Sequence, residues 1–134
     1  MKFDRRLTDE IYTSDTVRLG KNAFQAMRET VYHNGGVGTI TGYYDAELSI
    51  LSVSDLLLHN LNHSYASLME QAKGSLKNLF YKKDAAFLDN ARFRQLQGEG
   101  EGRILTADGS PVYVRLYKKD AVDTDGTPIW IMSV

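Results

Sequence analysis

The spacing of apolar residues along this chain switches between two periods, and each switch marks a change of element. In the first part, Ala23, Phe24, Met27, Val31 and Tyr32 recur at three- and four-residue intervals. Lys21, Arg28 and Glu29 fall between them, which predicts an amphipathic helix opened by Asp15 or Thr16. His33-Asn34-Gly35-Gly36 is a stop and turn signal. A shorter piece, Asp4 to Tyr12, carries Leu7 and Ile11 four apart, too little apolar surface for a helix standing alone.

Beyond Gly36 the period falls to about two. Val37 to Tyr44 and Glu47 to Val53 are rich in β-formers and are joined by Tyr44-Asp45-Ala46-Glu47, so a hairpin is predicted. From Ser54 the helical period returns. Ser54 or Asp55 can cap a short helix bearing Leu57, Leu58 and Leu61. Ser64 can cap a second, with Tyr65, Leu68, Met69 and Ala72 on one stripe before Gly74. Ser75 to Phe80 adds a turn with Leu76, Leu79 and Phe80. Asp84 is then placed to cap a helix reaching about Leu96, with Phe87, Leu88 and Ala91 facing inward.

The last part is β again. Arg103 to Ala107, Pro111 to Asp120 and Pro128 to Val134 are separated by Asp108-Gly109 and Asp125-Gly126, strong hairpin signals, so an antiparallel meander follows. Two strands, several short helices and three strands make an α+β pattern with a five-stranded antiparallel sheet. In the final strand Ile129, Ile131 and Ser133 face one way, and Trp130, Met132 and Val134 the other. With both faces mostly apolar, that strand needs cover on both sides. The short helices can supply one cover. The N-terminal helix, from its own chain or from a second copy, is left to supply the other, which divides the chain into a cap of residues 1–35 and a sheet-bearing domain of residues 36–134.

Composition narrows the class. A length of 134 residues holds one domain, and 43% hydrophobic and 25% charged residues are ordinary for a folded soluble protein. Sixteen basic against seventeen acidic residues leave a net charge of −1, which argues against nucleic-acid binding through bulk charge. No Lys or Arg stands between Arg28 and Lys73, so much of the core is expected there. The absence of cysteine excludes disulfides, thiolate metal sites and thiol nucleophiles. No apolar run approaches ~18 residues, so membrane insertion is not expected, and the start Met-Lys-Phe-Asp-Arg-Arg has no signal-peptide stretch, which makes a cytoplasmic location the default.

The ordered set of elements, with several local signatures, resembles a PAS domain, the sensory module of signalling proteins. Ser52-Val53-Ser54-Asp55 is similar to the family's strand end that opens its first short helix. Gly74-Ser75-Leu76-Lys77-Asn78-Leu79-Phe80, running on to Asp84, is similar to its Gly-small-Leu segment before the long connecting helix. Ala107-Asp108-Gly109-Ser110 and Asp123-Thr124-Asp125-Gly126-Thr127-Pro128 resemble its last two turns. The usual Gly-Tyr after the first short helix is Asn62-His63 here, and no Pro stands before Asp84. The resemblance covers about Gly36 to Val134. It implies a non-catalytic input module whose cavity lies between sheet and helices, which passes its state to an output domain through flanking helices, and which is cut from a longer signalling protein. Such domains often precede a diguanylate cyclase, a cyclic-di-nucleotide phosphodiesterase or a histidine kinase, none of whose motifs occurs in this chain. The cysteine-adduct form of flavin sensing is excluded because the family's Asn-Cys-Arg-Phe has no counterpart, and haem is disfavoured because Asp84 to Leu96 has no histidine.

Candidate chemistry is sparse. Leu57, Leu61, Tyr65, Leu68, Met69, Leu76, Leu79, Phe80 and Phe87, with inward residues of the last two strands, can line a small-molecule cavity or simply form core. Phe24, Met27 and Val31 are the candidates for a signalling helix and for a homodimer contact. His59 and His63 stand four apart, a spacing at which one ion can be shared on a continuous helix. The protease version of that motif needs a Glu where Asn60 stands, and the helix dipole alone favours a histidine at the helix end where His63 lies, so the pair is read as structural and no metal is expected. An alternative reading makes the chain a small enzyme with His59 or His63 as base and Asp55 orienting it, and another makes it a purely structural dimerisation domain. Gly98-Glu99-Gly100-Glu101-Gly102 is read as a flexible connection. Lys82-Lys83 and Lys118-Lys119 are read as solvated charge, and Asn62-His63-Ser64 as a chance glycosylation sequon.

Overall fold

Residues 20–34, 38–88 and 90–134 are described by the structure, a computed structural model, without the side chains of 32–34, 85–87, 90 and 91. In chain order the elements are helix α1 (Gly20–Asn34), strands β1 (Thr39–Tyr43) and β2 (Ile50–Val53), and short helices α2 (Asp55–Asn60), α3 (Tyr65–Ala72) and α4 (Leu76–Leu79). A 3₁₀ segment (Lys82–Leu88), helix α5 (Asn90–Gln95) and strands β3 (Gly98–Leu105), β4 (Pro111–Val122) and β5 (Pro128–Ser133) complete it. The Asp4–Tyr12 piece, the Asp15 or Thr16 cap, the Gly35-Gly36 stop, and the side chains of Tyr32, Phe87 and Ala91 lie outside the described residues.

The strands form one antiparallel sheet in the order β2-β1-β5-β4-β3, so the strand with two apolar faces sits at its centre. Each face is covered. On one side Trp130, Met132 and Val134 join the large core built with Leu57, Leu68, Leu76, Leu79, Phe80 and Phe93. On the other, Ile129 and Ile131 join Ala23, Ala26, Met27 and Leu51 beneath α1. The α+β architecture is therefore the expected one, with the N-terminal helix of the same chain as the second cover.

Local chemistry explains the boundaries. The Ser54 hydroxyl accepts from the Thr39 amide at 3.0 Å and the Leu57 amide at 3.4 Å, capping α2 and tying it to β1. Ser64 and Ser67 form a reciprocal capping box at the start of α3. Asp108 Oδ1 accepts from the Thr106 hydroxyl and from the Ser110 amide, and Asp123 Oδ1 accepts from the amides of Asp125 and Thr127, so each Asp-Gly turn is held by its aspartate.

Four expectations are corrected. The stripe α1 buries is Ala23, Ala26, Met27 and Thr30, whereas Phe24 is half-buried and Val31 exposed. Two alanines let the helix lie close on the sheet, and this sets its rotation. It is pinned by Asn22 Oδ1, which accepts from the Val122 amide at 3.1 Å, by the Glu29–Lys119 ion pair, and by the Ser133 hydroxyl donating to the Thr30 carbonyl at 2.9 Å.

Second, Gly98–Gly102 is not a flexible connection but the first half of β3, paired residue for residue with β4 from Gly98↔Lys118 to Leu105↔Pro111. Continuous pairing outweighs the poor strand propensity of glycine. Third, Asp84 does not cap a long helix: the helical path is 3₁₀ and then α, and the Asp84 carboxylate takes the Arg103 guanidinium at 2.9 and 2.7 Å and the Arg103 amide at 2.9 Å. An acceptor spent on β3 is no longer available to orphan helix amides. Fourth, Lys118 is buried rather than solvated.

Candidate functional site

Strand alternation and the two Asp-Gly turns place Val112, Val114 and Leu116 of β4 and Gly100, Gly102 and Ile104 of β3 on the face toward the short helices. Opposite them stands α2, held by the Ser54 cap and by the Ala107 amide, which donates to the Leu61 carbonyl at 3.0 Å. Between α2 and the β3–β4 pair lies a half-open cleft of about 720 Å³. Leu57, Leu61, Ile104, Val114, Leu116 and Val134 form its apolar wall, and Asn60 stands at its side. Its size is within the range of small-molecule pockets, roughly 300–1,000 Å³.

Of the cavity candidates read from the sequence, Leu57 and Leu61 line this cleft. Leu68, Leu76, Leu79 and Phe80 are buried in the core, and Tyr65 and Met69 pack partly buried against it. The inward residues of the last two strands were expected to join them, and Val114 and Leu116 of β4 and Val134 do, whereas the contribution of β3 was not anticipated. The two-residue period of Val112, Val114 and Leu116 was the available signal, but their facing the cleft depends on where α2 lies.

A polar cluster around Lys118 was not anticipated. The side chain of Lys118 has no solvent exposure: Nζ donates to the Leu96 carbonyl at 2.9 Å and to Asp120 Oδ1 at 3.0 Å, and lies 5.0 Å from the ring centroids of both Tyr44 and Phe93. The Tyr44 hydroxyl also donates to Asp120, Gln97 donates to its other oxygen at 2.8 Å, and the Arg94 guanidinium lies 4.7 Å from the Tyr44 ring centroid. Burial pushes the Lys118 ammonium below its ordinary range, and burial together with the Asp120 hydrogen bond pushes the Tyr44 hydroxyl up. The cluster fastens the chain after α5 to the inner face of the sheet. It is a closed set of partners, which reads as a structural tie.

The two histidines do not share a helix. α2 ends at Asn60, and Asn62 takes φ +59°, so His59 is exposed in the last turn while His63 is buried beyond it. Neither is among the described residues lining the cleft, and no group of three or more metal-ligating side chains occurs among the described residues. His63 Nδ1 is 2.7 Å from the Ser67 hydroxyl, and its Nε2 is buried with no hydrogen-bond partner among the described residues.

A charged ring at this position would bury an uncompensated cation, and burial holds His63 below its ordinary value of 6.5. As pH falls below 6.5 the unfolded chain takes up this proton before the folded one does. Stability present above 6.5 is therefore lost as pH falls through the folded value. Urea midpoints at pH 7.5 and 5.5 should show a larger drop in the natural protein than in His63→Gln, and equal drops would show that the histidine does not carry it.

No family model matches the sequence, and no curated protein matches it. Solved structures do. A PAS domain of an HTR-like protein from Haloarcula marismortui superposes with a TM-score of 0.57 at 15% identity, over 82% of this chain and 94% of that one. A PAS domain from Desulfitobacterium hafniense gives 0.58 at 8% identity, over 73% and 90%. A domain of a sensory box sensor histidine kinase/response regulator from Geobacter sulfurreducens gives 0.51 at 13% identity, over 83% and 95%. At such identities the likeness is one of fold.

Proposed function

We propose that this domain, whose fold is that of PAS domains, is a non-catalytic sensory module in which residues 36–134 bind a small molecule and residues 1–35 carry the response outward to an output domain. The cleft between α2 and the sheet is the observation that carries this reading, because it offers a small-molecule volume bounded by an element that a ligand can shift. α1 lies on the far face of the same central strand, with Met27 against the Ile129 and Ile131 side and Met132 and Val134 facing the other core. Val134, which follows β5, lines the cleft, so an occupant that displaces it would reach α1 through that one strand.

Native mass spectrometry of protein purified without denaturation, together with thermal-shift screening of small metabolites, tests the reading. A true ligand at a hundred times its Kd adds about 2.7 kcal/mol, a shift of several degrees in Tm. No retained mass and no stabilising compound would sink it. Neither His59 nor His63 is among the residues that line the cleft, so the enzyme alternative does not have there the histidine base it names.

A second reading, a homodimer through α1, is favoured by the exposure of Val31 at 38%, seven residues beyond the half-buried Phe24 on the flank of the buried stripe. Sedimentation of Phe24→Asp and Val31→Asp should shift to monomer if that contact exists. Unchanged sedimentation of a dimeric parent would remove it.

A further inference from the structure

The cleft's charged and polar lining residues are distributed so that they discriminate between ligand classes. Glu99, Glu101 and Arg115 border it only from strands whose alternation turns their side chains to the opposite face, where all three are exposed. Tyr113 lies on that same far face, with its hydroxyl donating to Glu101. Along the inner face of β4 the next cation after Leu116 is Lys118. Its ammonium is already committed to the Leu96 carbonyl, Asp120 and two aromatic rings. Among the described residues no inward cation is left to meet an anion, since the three charged residues that border the cleft turn their side chains away from it. Burying a carboxylate against such a wall is strongly unfavourable.

Asn60 contributes the remaining polar group. Its Nδ2 donates to the Leu56 carbonyl at 2.8 Å. A carbonyl can only accept, so the amide nitrogen faces it, which leaves Oδ1 as an acceptor for a ligand hydroxyl beside the second N–H. Resting on the ligand-binding reading above, we propose that the cleft takes an uncharged, largely apolar molecule bearing one hydrogen-bond donor, such as an alcohol or phenol, and rejects the carboxylate of the same carbon skeleton. The wall of Leu57, Leu61, Ile104, Val114, Leu116 and Val134 receives the apolar body. Gly100 adds no side chain to that wall, and a Cβ there would lie only 3.0 Å from Leu116 Cδ1.

The test is a pair of titrations of the whole chain followed by amide chemical shifts at pH 7.5, one with 1-octanol and one with octanoate. 1-Octanol should shift the amides of Leu57, Leu61 and Gly100 saturably, with octanoate at least tenfold weaker. Asn60→Leu, a change at an exposed position, should weaken 1-octanol by about two- to tenfold, the worth of one ordinary hydrogen bond. Val114→Phe should abolish the shifts by filling the space. If octanoate binds as tightly as the alcohol or more tightly, the ligand class is wrong while the cleft remains a binding site. If neither compound perturbs these amides, the ligand-binding reading fails as well.

Discussion

Alanine in place of Trp130 is expected to lower the unfolding free energy by about 3–5 kcal/mol, the cost of removing a large aromatic from a closed core. Trp130 is completely buried on the central strand. Its indole N–H donates to the Tyr43 carbonyl at 2.9 Å, and its ring meets Phe93 edge-on, with centroids 5.5 Å apart and planes at 89°. The ring also lies over Gly42, where a Cβ would sit 2.2 Å from both Trp130 Cζ2 and the Ser49 carbonyl oxygen. Rotation of the indole alone could not relieve a Gly42→Ala change, because the second contact is backbone. That variant should therefore be destabilised too, by at least the ~1–3 kcal/mol typical of overpacking. Trp130 is the chain's single tryptophan, so denaturant unfolding of the two variants should be followed by far-UV circular dichroism. A loss below about 1 kcal/mol in Trp130→Ala would mean that this core does not close around the indole.

The second large effect concerns Lys118. Removing one partner of a buried ion pair strands the other, whereas removing the buried charge and keeping its bulk is often neutral. Asp120→Ala should therefore cost about 1–3 kcal/mol, less than for a wholly buried pair because the Asp120 side chain is 44% exposed. Lys118→Met, which keeps the contacts with Tyr44 and Phe93 and forgoes the ammonium, should lie closer to the natural protein than Asp120→Ala does. The reverse order would show that the ammonium is a net stabiliser.

The pH dependence has a definite sign. Lys118 is held below its ordinary 10.5, so the stability linked to it is present above that pH and lost as pH falls through the folded value. Tyr44 is held above its ordinary 10.0 and acts in the opposite sense, its contribution being present below that pH and lost at higher pH. Chemical denaturation of the natural protein and Lys118→Met at pH 7 and pH 9.5 separates them. The natural protein should gain on the variant at the higher pH.

The proposals about signalling and the predictions about stability meet in β5. The same six residues carry Trp130 and Met132 into the helical core and Ile129 and Ile131 into the contact with α1. A packed strand with no free face transmits a displacement instead of absorbing it, because protein interiors are dense and have few voids. This is the physical basis of the proposed link between the cleft and α1, which shares no lining residue with the cleft among the described residues.

The sequence by itself determined what depends on near neighbours along the chain. The Ser54 and Ser64 caps, the Asp108-Gly109 and Asp125-Gly126 turns, the meander, and the need for cover on both faces of the last strand all follow from local hydrogen bonding and side-chain period, and all are present. The tertiary structure alone decided what depends on remote partners. Gly98–Gly102 became strand because β4 lies beside it, and Asp84 lost its capping role because Arg103 lies within reach. Lys118 turned inward because a carbonyl, a carboxylate and two rings from distant segments meet its ammonium. The cleft belongs to the same class. Leu57 and Leu61 were legible as apolar positions on a helix, but that they face Val114 and Leu116 across a space, instead of filling it, depends on the separation of α2 from the sheet. Hydrophobic pattern encodes which face of an element is buried, and it carries no information on how closely two buried faces approach.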